Sequence, residues 1–116
     1  MTAPKVDSYR FGHLVVDGTT FKQDVLVLPD GVRAGWWRRE GHRLHPDDLA
    51  DVFAVGPEVL VVGQGASGLL AIPEETRRVV QQAGIELFNH PTEKACHLYN
   101  ELSRQRRTVA ALHLTC

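Results

Sequence analysis

Several features that mark specialised classes of protein are scarce in this sequence. It has two cysteines in 116 residues, too few for the disulfide framework of a small secreted protein. Its 13 basic and 14 acidic residues nearly balance, so no overall charge attracts the chain to nucleic acid or anionic lipid. The apolar runs stay far below the about 20 residues of a membrane span, and Met1–Asp7 lacks the apolar stretch of a signal peptide. These absences predict a soluble cytoplasmic protein with free thiols, which binds neither membrane nor nucleic acid.

What the sequence does contain is ordinary for a globular protein. Hydrophobic residues make up 43% and charged residues 23% of the chain, values at which disorder is not expected. A chain of 116 residues is also close to the usual size of one domain. The sequence therefore predicts a single domain over residues 1–116 with its own hydrophobic core.

The first third of the sequence has the pattern of short antiparallel strands. Asp17-Gly18 is a strong two-residue hairpin turn, between apolar positions before it and Thr19–Lys22 after it. Val25–Leu28 is a further apolar run, which Pro29 ends. Tight turns between short strands require antiparallel pairing.

From Pro46 onward, helix and strand patterns alternate. The expected elements are a helix opened by Pro46, a strand over Val59–Val62, a helix from Pro73 that ends before Gly84, a strand over Ile85–Phe88, a helix after Pro91 whose far end carries Arg104, Arg106 and Arg107, and a strand over Val109–Leu114. Alternation of this kind places helices against a mixed or parallel sheet. The predicted fold is a single three-layer α/β domain with a mixed central β-sheet, about three helices and about seven strands. Its N-terminal antiparallel hairpins are expected to extend or cross that sheet.

The segment from Gly63 to Gly68 matches the glycine pattern of a dinucleotide-binding loop and follows a predicted buried strand. In such sites, however, the glycines lead directly into a helix whose N-terminus faces the pyrophosphate. Here Leu69–Ile72 separates them from the helix that Pro73 opens. We therefore predict a structural turn that lets two backbone segments approach each other, and no nucleotide cofactor.

No arrangement of nucleophiles or metal ligands stands out. The six histidines and two cysteines show none of the usual zinc-ligand spacings. His113 and Cys116 are three residues apart, which would place them on opposite faces of a continuous strand. Cys96 and His97 are adjacent on a predicted helix and would point about 100° apart, and Ser67 lacks the spacing of a nucleophile elbow. We predict no catalytic residues, no metal site and no cofactor.

One segment concentrates aromatic and basic side chains. The candidate surface for a partner or an anion consists of Trp36, Trp37, Arg38, Arg39 and His42. Tryptophan and arginine are the residues that most often anchor protein interfaces. A second interpretation places one tryptophan in the core and pairs the arginines with Asp47, Asp48 or Asp51.

A pocket is the alternative site. Open α/β sheets bind ligands beyond the carboxyl ends of their strands. The polar and small residues expected at that rim are Gly63, Gln64, Gly65, Thr92 and Asn100.

Several short motifs resemble one known family when they are taken in order. They are Tyr9-x-Phe11-Gly12, Asp24 before an apolar strand, Trp37-x-Arg39, Gly41-His42, Asp48-Leu49, Pro57-Glu58-x-Leu60-Val61-Val62-Gly63-x-Gly65, Thr92-x-x-Ala95, Tyr99-Asn100 and Leu112–Cys116. Together they resemble the Mth-domain family, whose members include an adipogenesis-associated protein and a mitochondrial complex I assembly factor. The resemblance implies a three-layer α/β fold and identifies no catalytic residue.

The sequence thus predicts a non-enzymatic interaction or assembly-type factor with an unknown protein partner, as a monomer or homodimer. The alternative is a small-molecule-binding protein or enzyme with its pocket near Gly63–Gly68.

Overall fold

The chain folds into helices and strands close to those expected from its sequence. The structure, a computed structural model, describes residues 3–116. Met1 and Thr2, part of the stretch in which no signal peptide is predicted, lie outside the described residues. The elements are β1 (Val6–Arg10), β2 (His13–Val16), β3 (Thr19–Phe21), β4 (Val25–Leu28), β5 (Gly31–Ala34), a 3-10 turn (Pro46–Leu49), α1 (Ala50–Val55), β6 (Val59–Gln64), α2 (Glu74–Gln82), β7 (Glu86–His90), α3 (Thr92–Leu102) and β8 (Thr108–His113).

The strands form two sheets. The central sheet has the order β5-β4-β8-β6-β7 and the smaller one the order β1-β2-β3. In the central sheet β6 is parallel to β7 and β8, whereas β4 is antiparallel to β5 and β8. The predicted mixed central sheet is confirmed. Of the N-terminal hairpins, β4 and β5 extend it, while β1 to β3 make a sheet of their own.

The central sheet carries one apolar layer on each face. On the first face Ala110 and Leu112 of β8 pack with α3 and with the three-stranded sheet. On the second face Val109 and Ala111 pack with residues of the 3-10 turn, α1 and α2. Alternate side chains of a strand point to opposite faces, so one buried strand contributes to both cores. The three-layer α/β fold is confirmed.

Local turn chemistry explains the N-terminal hairpin. Asp17 and Gly18 both have positive φ, 48° and 80°, as the favoured two-residue hairpin turn requires. The Asp17 carboxylate accepts a hydrogen bond of 3.0 Å from the Lys5 backbone N–H. Register between β2 and β3 is thereby fixed at Val16 opposite Thr19.

Two sequence-based expectations differ from the structure. The sequence pattern predicts no strand between Pro29 and Pro46, but Gly31 begins β5, which is ordered by its pairing with β4 although Gly31 and Ala34 have low strand propensity. α3 ends at Leu102, so Arg104, Arg106 and Arg107 lie beyond its last turn. There Arg106 pairs with Glu86 at 2.9 Å instead of interacting with the helix dipole. Within residues 3–116 no helix is long and apolar enough to cross a membrane.

Candidate interaction site

A buried cluster of charged side chains lies where β4 begins and β8 ends. Asp24 immediately precedes β4, His113 is the last residue of β8, and Arg38 reaches in from the segment after β5. Arg38 Nη1 lies 2.7 Å from Asp24 Oδ2, and His113 Nδ1 lies 2.8 Å from the same oxygen. The second carboxylate oxygen accepts a 2.7 Å bond from the Leu114 backbone N–H. Asp24 therefore joins three separate segments of the chain.

The environment of Asp24 favours its ionised form. Burial alone raises the pKa of this carboxyl, but the hydrogen bonds from His113, Leu114 and Arg38 outweigh burial and lower the pKa below its ordinary value. The Arg38 side chain is only 6% exposed. Its guanidinium also donates to the Gly41 carbonyl and lies 4.8 Å from the centre of the Trp36 ring. The negative Asp24 thus compensates a positive charge that is nearly out of solvent.

The ring of His113 takes a defined orientation in this cluster. An ionised carboxylate can only accept hydrogen bonds, so we place the hydrogen on Nδ1, facing Asp24. Arg38 Nη2 is 3.1 Å from the same nitrogen, but it cannot donate a hydrogen bond there while Nδ1 carries the hydrogen. Nε2 of His113 is buried and, among the described residues, has no hydrogen-bond partner. Apart from the positions of Asp24 and His113 in the family motifs, no sequence pattern indicates this arrangement.

The segment Trp36–Arg38 alternates between core and solvent. Trp36 is buried, and its indole N–H donates a 2.9 Å bond to the Asp48 carbonyl. Trp37, in contrast, is 75% exposed. This agrees with the interpretation that one tryptophan belongs to the core. Trp37 therefore protrudes from between two buried neighbours.

Beside Trp37 lies an open groove with a volume of about 520 Å³. Its lining residues are Leu26, Arg33, Gly35, Trp36, Trp37, Arg39, Asp47, Asp48, Ala50 and Asp51. Arg33 pairs with Asp51 at 2.6 Å, and Arg39 pairs with Asp47. The Asp48 carboxylate accepts bonds from the backbone N–H groups of Arg39 and His45. Every charged side chain of the groove thus has a partner within the chain.

His42 lies apart from this groove, near the C-terminus. Its Nε2 is 3.9 Å from Cys116 Sγ, and its ring centre is 6.4 Å from that of His113. The expectation that His113 and Cys116 occupy opposite faces assumed a continuous strand, but β8 ends at His113. Within residues 3–116, no three His, Cys, Asp or Glu side chains lie where they could hold a metal ion together.

The glycine loop is a point of close backbone approach. A Cβ on Gly63 would lie 2.9 Å from side-chain atoms of Leu112 and Thr92. Gly65 has φ +95°, and a Cβ there would lie 2.7 Å from the carbonyl oxygens of Thr115 and Cys116. Thr92 Oγ1 accepts from the Gly65 N–H and donates to the His113 carbonyl. The predicted close approach of two backbone segments is confirmed, although Gly63 and Gln64 belong to β6 and the turn itself begins at Gly65.

The other residues expected at a pocket rim take part in structural contacts. Gln64 donates to the Leu70 carbonyl and accepts from Asn89. Asn100 lies elsewhere, where its amide bonds both the N–H and the carbonyl of Val6 at 2.9 and 2.8 Å. The structure thus brings Gly63, Gln64 and Gly65 together with Thr92, and separates Asn100 from them.

Comparison with known proteins places the chain in a class of uncharacterised domains. Residues 6–114 match a family described as a protein of unknown function, DUF498/DUF598. The chain belongs to this family.

Solved structures support the same assignment. A conserved hypothetical protein from Pyrococcus horikoshii is 30% identical, with a TM-score of 0.82 over 97% of this chain and 99% of that one. The protein MT938 is 25% identical, with a TM-score of 0.78 over 98% and 100% of the two chains. A Mth938-like domain from Bordetella pertussis shares the fold at 22% identity, with a TM-score of 0.66 over 96% and 85%. The resemblance to the Mth-domain family is confirmed.

Proposed function

We propose that this protein is a non-enzymatic interaction factor that binds a partner protein through the groove beside Trp37. The observation that carries the proposal is the exposure of Trp37, which at 75% is the largest among the big apolar side chains of residues 3–116. A tryptophan that becomes buried in a partner removes roughly 150–250 Å² of its surface from water. Such residues dominate the energetics of most protein interfaces.

The position of Trp37 supports this role because its backbone is already ordered. Trp36 is held by packing and by its bond to Asp48, and Arg38 is held by Asp24. Fixing the anchor before binding lowers the conformational entropy lost on association. Side chains of a partner can occupy the groove beside the indole, where Leu26 and Ala50 are part of the lining.

The glycine-loop pocket has less support as an alternative. The space next to Gly63 and Gly65 is filled by Leu112, Thr92 and the carbonyl groups of Thr115 and Cys116. A ligand there would have to displace the C-terminal segment. We therefore centre the proposed function on the groove.

The test compares Trp37→Ser with Leu69→Ser, a matched change at another exposed apolar side chain. Trp36 and Arg38 are unsuitable because their side chains are buried. Each tagged variant is purified from its native cells, and its partners are quantified by mass spectrometry. A partner that binds the wild type and Leu69→Ser is expected to be depleted with Trp37→Ser. Affinity measured with that purified partner should fall roughly 30-fold or more, the loss typical of a tryptophan hot spot. An unchanged set of partners would refute the proposal.

A further inference from the structure

We propose that the partner binds as an extended, uncharged apolar strand that pairs with the free edge of β5. This inference rests on the proposed function, because it names the chemistry of the partner and its mode of binding at the same groove. It begins from the difference between two sheet edges. The β1 edge is closed at Val6 by the side-chain amide of Asn100, which occupies both the N–H and the carbonyl. β5 is an end strand of the central sheet.

The outer edge of β5 is open for pairing. Across residues 3–116, the backbone of Gly31–Ala34 makes hydrogen bonds only within its ladder with β4. In an antiparallel pair every second residue directs its N–H and carbonyl away from the partner. β5 therefore offers backbone donors and acceptors from alternate residues.

The usual protection of a sheet edge is weak on β5. Natural edges carry lysine, proline, bulges or outward charges that discourage pairing with another chain. β5 has no proline or lysine, and its register with β4 is regular. Its one charge, Arg33, is bound by Asp51 of α1. The remaining protection of this edge is its shortness, four residues, and the paired Arg33.

The groove lies where the side chains of such a strand would go. Arg33 of β5 and Gly35–Trp37 form one part of its lining, and Asp47, Asp48, Ala50 and Asp51 form another. A strand laid against β5 would direct every second side chain to this face of the sheet. Trp37, just beyond the end of β5, would then contact the incoming segment.

The charges of the groove determine the chemistry of that segment. Arg33, Arg39, Asp47, Asp48 and Asp51 are all engaged within the chain. A charged group of the partner would find no free countercharge and would lose its hydration. An uncharged segment meets the exposed Trp37 and Ala50 instead, beside the largely buried Trp36 and Leu26. The matching partner is therefore a short apolar strand, enriched in β-branched and aromatic residues.

The experiment selects a random linear peptide library, displayed on phage, against the immobilised full chain. Uncharged sequences rich in β-branched or aromatic residues are expected, with binding lost in Trp37→Ser and kept in Leu69→Ser. Their affinity should change less than threefold between 50 and 500 mM salt. Enrichment of charged sequences, or no enrichment, would overturn the proposal.

A second measurement tests the binding mode. The best peptide is synthesised twice, with N-methyl groups on alternate amides in the two possible registers. One version should bind at least tenfold more weakly and the other within threefold, because only every second amide faces β5. Amide exchange of alternate residues in Gly31–Ala34 should slow on binding. Strand pairing is wrong if both peptide versions bind alike and amide exchange in Gly31–Ala34 is unchanged. If Trp37→Ser still abolishes binding in that case, the proposed interaction function stands. If Trp37→Ser instead leaves both peptide and cellular partners bound, the proposed function itself fails.

Discussion

Replacing Asp24 with asparagine tests the physical account of the buried cluster. Asparagine has nearly the same shape and can still accept the bond from the Leu114 N–H, but it carries no charge. Arg38, whose side chain is 6% exposed, would then keep a buried positive charge without a counterion. With its one amide oxygen facing Leu114, asparagine would place an NH₂ group where Oδ2 was, so His113 Nδ1–H and Arg38 would both lose their acceptor.

The expected loss follows from these exposures. Removing one partner of a buried ion pair destabilises a protein by about 3–5 kcal/mol. Asp24 is 17% exposed, and water can partly reach the site. We therefore expect the lower end, about 3 kcal/mol, for Asp24→Asn. That is a large part of the roughly 5–15 kcal/mol by which folded domains are stable.

Urea unfolding followed by tryptophan fluorescence measures this loss, since Trp36 lies under the Arg38 guanidinium. Asp30→Asn is the matched control, an exposed aspartate whose change should stay within about 0.5 kcal/mol. The Arg38→Met variant and the double variant complete a cycle. The double variant should lose at least about 1 kcal/mol less than the sum of the two single changes. A loss below about 1 kcal/mol for Asp24→Asn, or additive effects in the cycle, would refute the reasoning.

Three further predictions concern pH, the glycine loop and the thiols. Folding lowers the pKa of Asp24. Its stabilisation is therefore present above the ordinary pKa of about 3.9 and is lost as pH falls through the lower folded value. Urea titrations should show the difference in unfolding free energy between the wild type and Asp24→Asn shrinking as the pH falls below that ordinary pKa. Gly68→Ala should reduce the free energy of unfolding by roughly 1 kcal/mol and Gly65→Ala by at least twice as much. Both glycines have positive φ, but only a Cβ on Gly65 would meet carbonyl oxygens at 2.7 Å. Equal losses of stability in urea would contradict the close approach. Burial raises the pKa of the Cys96 thiol to about 12. Ellman's reagent should therefore label only the exposed Cys116 in the folded protein, and both thiols after unfolding. Rapid labelling of two thiols in the native state would contradict the packing of α3.

The fold was largely predictable because its signals are local. Asp17-Gly18 favours one turn type, and the apolar run Val59–Val62 is too continuous for a strand exposed on one face. β5 was missed because Gly31 and Ala34 have low strand propensity, and only pairing with β4 orders them. That pairing is a tertiary effect, which a local pattern does not contain.

The buried cluster was not predictable for a related reason. Arg38 is 14 residues from Asp24 in sequence, and His113 is 89 residues from it. No spacing rule connects such positions, since the β4–β8 pairing brings them together. In sequence Arg38 was indistinguishable from Arg39, yet one is buried against Asp24 and the other pairs at the surface with Asp47.

The buried cluster of Asp24, Arg38 and His113 also affects the segment that carries Trp37. A buried ion pair adds little net stability compared with apolar side chains of the same volume, because desolvation offsets most of the attraction. Its bonds are directional, however, and Arg38 can meet Asp24 and the Gly41 carbonyl only in one arrangement of the segment. An apolar replacement could keep the fold stable while leaving that arrangement free to vary. The directional contacts of Arg38 therefore hold in place the backbone segment from which its neighbour Trp37 protrudes.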